Sequence, residues 1–131
     1  MRAHLGFVIL GVLLSTPGFA LAGKTIASPP VFCGVLPSPQ AACYIRNVGP
    51  LPVAITVQVT GENGTPRVPS FENCNGSPLA AGRTCVVLAP LVEYTQFAAC
   101  SATASGSAKR LRGTVEVRDG FFTVVSAQDL R

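Results

Sequence analysis

Val53-Ala54-Ile55-Thr56-Val57-Gln58-Val59-Thr60 decides how the rest of the chain reads. Val53, Ile55, Val57 and Val59 point one way, and Ala54, Thr56, Gln58 and Thr60 point the other. Period two with β-branched residues on one face predicts a half-buried antiparallel strand. Asn63-Gly64 follows, a dipeptide that tolerates the positive φ angles of a tight hairpin. The returning arm, Thr65–Phe71, carries Pro66 and Pro69, so it reads as a sheet edge or irregular chain.

The same grammar extends in both directions. Cys43-Tyr44-Ile45-Arg46 alternates and stops at the turn cluster Asn47-Val48-Gly49-Pro50. Beyond the turn-rich Asn75-Gly76-Ser77-Pro78 and Ala81-Gly82, Thr84–Ala89 reads as a buried strand. Phe97–Ala104 is another, with Ala98, Cys100, Ala102 and Ala104 on one side. Leu111, Gly113, Val115 and Val117 alternate with Arg110, Arg112, Thr114, Glu116 and Arg118, and Asp119-Gly120 offers a two-residue turn into Phe121–Ala127. That turn would set Val117 opposite Phe122, Val115 opposite Val124 and Glu116 opposite Thr123. No helical period recurs. The expected fold is all-β, an antiparallel β-sandwich of immunoglobulin type, with a small barrel as the alternative.

The N-terminus has a different grammar. Arg2 and His4 precede the apolar run Leu5–Leu14, then Thr16-Pro17-Gly18, then Ala20-Leu21-Ala22. A charged start, a short greasy stretch and a small-x-small site predict a signal peptide cleaved after Ala22. The run is about half the roughly 20 residues that span a bilayer, so no stable membrane anchor is expected. Gly23 stands where a lipid-modified leader would carry cysteine. The expected organisation is a signal peptide over 1–22, a proline-rich arm over 23–40 with at most a short edge strand near Val31–Cys33, and a sandwich domain over 41–131. The destination is the periplasm or the exterior, where thiols oxidise.

A family resemblance follows from short motifs. Asn47-Val48-Gly49 with Pro52-Val53-Ala54-Ile55-Thr56-Val57 resembles the opening of Hydin-type immunoglobulin-like repeats. Leu79-Ala80-Ala81-Gly82-Arg83-Thr84-Cys85-Val86-Val87 is similar to their Leu-x-x-Gly-x-x-Cys strand, and Gly113-Thr114-Val115-Glu116-Val117 to their last strand. The likeness covers roughly residues 43–118. The proline-rich start, Cys33 and the segment Leu91–Cys100 depart from it. The layout also resembles that of small exported bacterial proteins. The resemblance implies a fold and no catalytic activity.

Five cysteines cannot all pair within one chain. Cys74 and Cys85 flank the turn-rich segment Asn75–Thr84. Cys43 and Cys100 lie on separate strands with inward-looking neighbours, and bridging them leaves Cys33 as a candidate free thiol. The rival choice is Cys33–Cys43, bracketing the proline-rich loop, with Cys100 free. A leftover cysteine could form a disulfide-linked dimer or remain an inert buried thiol. No CxxC pair and no histidine outside the leader are present, which argues against zinc and redox chemistry.

The same composition limits catalysis. His4, the sole histidine, leaves with the leader, so neither Ser–His–acid nor Cys–His nucleophiles can form. The six acidic residues are scattered. No glycine-rich loop opens a helix to hold phosphate, and no cofactor is expected. Lys109, Arg110, Arg112 and Arg118 form the one basic cluster, a candidate anion-binding surface with Arg110, Arg112 and Arg118 sharing an outward face. Solvated charges that discourage edge pairing would look the same. Mild basicity and a lack of interleaved aromatics argue against nucleic acid.

Asn63-Gly64-Thr65 and Asn75-Gly76-Ser77 match a glycosylation pattern but read more simply as turns. Recognition would come from loops such as Gly61–Arg67, Asn73–Arg83 and Leu91–Gln96, with Tyr94 the most ligand-like side chain. The expected role is non-catalytic, structural or binding, with an unknown protein or envelope component as partner. The alternatives are a secreted hydrolase inhibitor, or an appendage subunit whose arm Gly23–Gln40 completes a neighbour's sheet.

Overall fold

The computed structural model describes residues 24–34, 36–92 and 97–131. The leader and the Glu93-Tyr94-Thr95-Gln96 segment lie outside the described residues. Nine strands form among the described residues: β1 (Lys24–Ala27), β2 (Val31–Phe32), β3 (Gln40–Asn47), β4 (Ile55–Gly61), β5 (Phe71–Glu72), β6 (Thr84–Pro90), β7 (Phe97–Ala104), β8 (Leu111–Arg118) and β9 (Val124–Leu130). A 3-10 turn, Ala108–Arg110, enters β8 and is capped by the Ser107 hydroxyl, which accepts from the Lys109 amide.

These strands make two antiparallel sheets. In the first, β7 is central, with β4 along one edge and β1 and β2 along the other. The second runs β5-β6-β3-β8-β9. The inward residues are those the alternation selects: Ile55, Val57 and Val59 on β4, Ala98, Cys100, Ala102 and Ala104 on β7, Cys85, Val87 and Ala89 on β6, and Leu111, Val115 and Val117 on β8. Burying one face of each sheet against the other gives the core, so the architecture is a β-sandwich. Gly113 shares the inward alternation of β8, and a Cβ there would come within 2.7 Å of Ile45 Cδ1 and 3.0 Å of the Tyr44 carbonyl oxygen, which favours glycine.

The proline-rich arm is more ordered than its sequence suggests. Lys24–Ala27 pairs with Ser101–Ala104, and Val31–Phe32 pairs with Phe97 and Ala98. Ser28 bridges the gap before Pro29-Pro30: its amide donates to the Cys100 carbonyl and its hydroxyl accepts from the Cys100 amide, at 2.9 and 3.0 Å. Reciprocal backbone bonds between Ala27 and Arg131, 3.0 and 3.1 Å, join the two sheets along this flank.

Local polar groups hold the loops. Asn47 is buried, and its amide nitrogen donates to the carbonyls of Leu51 and Leu79 while its oxygen accepts from the Gly49 amide. This satisfies a polar group that would otherwise be costly to bury. Asn75 acts as a false strand residue, accepting from the Val57 amide at 2.8 Å and donating to its carbonyl at 3.3 Å. These two bonds make Asn75 a clamp that pins its loop to β4.

The last hairpin departs from its expected register. Val115 pairs with Gln128 and Val117 with Ser126, and a bulge follows before Arg118 meets Val124. The cause is the turn. Asp119 Oδ1 accepts from the amides of both Phe121 and Thr123 at 2.9 Å, and the Asp119 amide closes on the Thr123 carbonyl. Gly120 has no positive φ; Phe122 takes the left-handed position at φ 64°. The loop therefore has three residues ending in a left-handed bulge position, not two. Phe121, Phe122, Val124 and Val125 are left exposed.

Candidate anion-binding groove

Four cysteines are bonded. Cys43 of β3 joins Cys100 of β7, with Cα atoms 6.1 Å apart, and Cys74 joins Cys85 of β6 at 5.0 Å. The first bond links the two sheets through one interior strand of each. Cys33 is unbonded and buried, with its thiol directed at the Val31 carbonyl at 3.6 Å, and burial raises its pKa above the ordinary thiol value. The alternative Cys33–Cys43 pairing is not the one formed.

The outward face of the second sheet carries a groove. Its floor is strands β3, β8 and β9, and its walls come from β1 and from the 3-10 turn. Cross-strand register sets its chemistry. Thr84, Arg46 and Arg112 are consecutive partners across β6, β3 and β8. The next row contains Val86, Tyr44, Thr114 and Asp129. Gly113 pairs with Leu130, which sets Arg131 beside Arg112. Lys24 and Lys109 line the walls.

One of the groove's two carboxylates, Glu116, is ion-paired. Glu116 Oε2 receives Arg118 Nη2 at 2.7 Å and Nε at 3.1 Å. Arg118 Nη2 also donates to the Tyr44 hydroxyl at 2.7 Å, with the guanidinium 5.7 Å from the ring centroid. Hydrogen bonding to Glu116 raises the Arg118 pKa further. Asp129 Oδ1 lies 3.2 Å from the Thr114 hydroxyl. Among the described residues, Arg118–Glu116 is the only salt bridge.

The four basic residues of the predicted cluster are therefore divided. Lys109 and Arg112 line the groove, and Arg112 Nη1 is braced by the carbonyls of Lys109 and Leu111. Arg118 is taken up by Glu116 and Tyr44. Arg110 does not share their strand face: it sits in the 3-10 turn, and its aliphatic stem covers Gly49. Lys24, Arg46 and Arg131 join instead. Their membership depends on strand pairing between distant segments, and local sequence carries no sign of it.

Among the predicted loops, Asn73–Arg83 is the most firmly held. Cys74–Cys85, the Asn75 clamp and the Asn73 oxygen on the Val86 amide at 2.7 Å all pin it. Gly61–Arg67 is closed by Gly61 and Thr65. No helix among the described residues is long and apolar enough to cross a membrane, and no cluster among them could hold a metal ion.

No protein-family model matches this sequence, and no curated protein matches it. Among solved structures, that of Thermotoga maritima 1070 superposes with a TM-score of 0.47 at 10% identity, over 83% of this chain and 94% of that one.

Proposed function

We propose that this is an exported, non-catalytic binding or structural protein, its leader removed after Ala22, with an immunoglobulin-like sandwich braced for an oxidising compartment. The observation that carries the reading is the Cys43–Cys100 bond between β3 and β7. Paired cysteines of this kind persist in secreted and periplasmic proteins and are rare where glutathione keeps thiols reduced.

The strand order supports the immunoglobulin-like assignment in an altered form. With β9 and β2 set aside, β5-β6-β3-β8 and β4-β7-β1 are compatible with the strand order of that fold, and Cys43–Cys100 lies at its second and sixth strand positions. Here the first strand, β1, takes the place that the last strand holds in an immunoglobulin domain, and β8 takes that of the first, with β9 added outside it. A chain joined in that permuted order keeps the core and moves the termini.

A non-catalytic role is supported by the residue supply: His4, the sole histidine, lies in the leader. The arm reading of an appendage subunit is weakened, because residues 24–32 complete their own sheet. A hydrolase inhibitor remains a second reading, favoured by the rigid, exposed Gly76-Ser77-Pro78 segment between the Asn75 clamp and Leu79. Inhibition of any member of a protease panel, abolished by reductant, would support it.

Fractionation of the producing cell, with N-terminal sequencing of the recovered protein, tests the main reading. A mature chain beginning Gly23-Lys24-Thr25 in the envelope or medium is expected. Full-length chain beginning at Met1 with reduced thiols in the cytoplasm would overturn it.

A further inference from the structure

Arg46 and Arg112 are direct cross-strand partners, and Arg131 follows Leu130, the partner of Gly113, in the lining of the same groove. Like charges directly opposite each other on adjacent strands destabilise a sheet. Strands lie about 4.8 Å apart, so three guanidinium stems leave the surface across roughly 10 Å. Lys24 and Lys109 add charge from the walls. Glu116 is paired with Arg118, and Asp129 meets only the neutral Thr114 hydroxyl among the described residues, so the five cations face one uncompensated carboxylate. None of the five groove cations is in a salt bridge among the described residues.

We propose that this groove binds an acidic glycan, a sugar chain bearing carboxylate, sulfate or phosphate groups, laid across β3, β8 and β9. The anionic groups sit on Arg46, Arg112 and Arg131, whose planar forks match such oxygens in bidentate fashion. Sugar hydroxyls meet the hydroxyls of Thr84 and Thr114. The proposal rests on the non-catalytic binding role proposed above.

Two other polyanions fit less well. Single-stranded nucleic acid is gripped by free aromatic faces on which bases stack. The groove's one aromatic, Tyr44, already carries the Arg118 guanidinium. An anionic lipid surface would call for exposed apolar side chains beside the cations, and the groove's apolar lining residues, Ile26, Ala108, Leu111 and Leu130, are all buried. The exposed Phe121 and Phe122 lie at the other end of the β8–β9 hairpin, about 20 Å along the strand from Arg112.

The test is calorimetric titration of the mature, oxidised protein with heparin-derived and polygalacturonate oligosaccharides, and with neutral dextran as control. Binding to at least one acidic oligosaccharide is expected, with none to dextran. R46Q/R112Q should weaken it at least about tenfold, because two charge-assisted contacts are lost. The charge-matched variant R83Q/R110Q, altered outside the groove, should stay within about twofold. Circular dichroism confirms that each variant is folded.

Equal loss in both double variants would reduce the effect to net charge and overturn the site. Tighter binding to single-stranded DNA or to phosphatidylglycerol vesicles than to every acidic oligosaccharide would overturn the ligand class. An exported, oxidised protein that binds no acidic oligosaccharide sinks this inference alone. A cytoplasmic, reduced protein sinks the reading beneath it.

Discussion

Arg46 on β3 and Arg112 on β8 are direct cross-strand partners on the outward face of the second sheet, and neither is in a salt bridge among the described residues. Such a pair weakens the fold while it raises the potential over the groove. Arg46→Thr should therefore stabilise the protein, by a few tenths to about 1 kcal/mol, since Thr also suits a strand. Thermal denaturation at low salt should show a raised Tm, and the gain should shrink in high salt as the repulsion is screened. A lowered Tm would mean that the pair is not repulsive in place.

The two disulfides should differ in worth. Cys43 and Cys100 are 57 residues apart, and Cys74 and Cys85 are 11 apart. Chain-entropy arguments give about 4 kcal/mol for the longer loop and about 3 kcal/mol for the shorter. Paired alanine replacement, followed by urea unfolding, should cost more stability for C43A/C100A than for C74A/C85A. The reverse order would indicate that the loop bond carries packing that the intersheet bond does not.

Phe122 holds a left-handed backbone conformation, φ 64°, while its ring is largely in solvent. A bulky L-residue is strained there by roughly 1 kcal/mol, and exposure means little burial is lost on removal. Phe122→Gly should therefore raise stability by about 0.5–1 kcal/mol, partly offset by the larger entropy of glycine in the unfolded chain. Chemical denaturation measures it. A loss of stability would show that the ring is held by contacts worth more than the strain.

Strand identity was readable because it depends on neighbours in sequence. Ile55, Val57 and Val59 alternate and are buried, as are Ala98, Cys100, Ala102 and Ala104. The bonded cysteines match one of the two pairings that the spacing favours among the fifteen arrangements that five cysteines allow. The register of the final hairpin was not legible, since Asp119 Oδ1 captures two amides and shifts the left-handed position to Phe122. Nor was the groove. Arg46 and Arg112 are far apart in sequence, and only the β3–β8 pairing sets them side by side. Arg110, next but one to Arg112, turns away because it precedes the strand.

Cys33 is buried, and its thiol pKa is raised by that burial. The native thiol should resist iodoacetamide at neutral pH and react fully in denaturant. Because the folded pKa lies above the unfolded one, this group's contribution is complete below the unfolded value, near 8.5, and is lost as pH rises toward the folded value. Stability should thus decline above about pH 8.5, and Cys33→Ala should flatten that decline. Rapid native labelling at pH 7 would contradict the burial.

The central claim, two sheets tied by Cys43–Cys100, is tested most directly by disulfide mapping of unreduced protein by mass spectrometry. Trypsin alone leaves Cys33 with Cys43 and Cys85 with Cys100 on shared peptides, so thermolysin must cut within each. The expected crosslinked peptides join Cys43 to Cys100 and Cys74 to Cys85, with Cys33 alkylated only after denaturation. A peptide joining Cys33 to Cys43 would contradict the account.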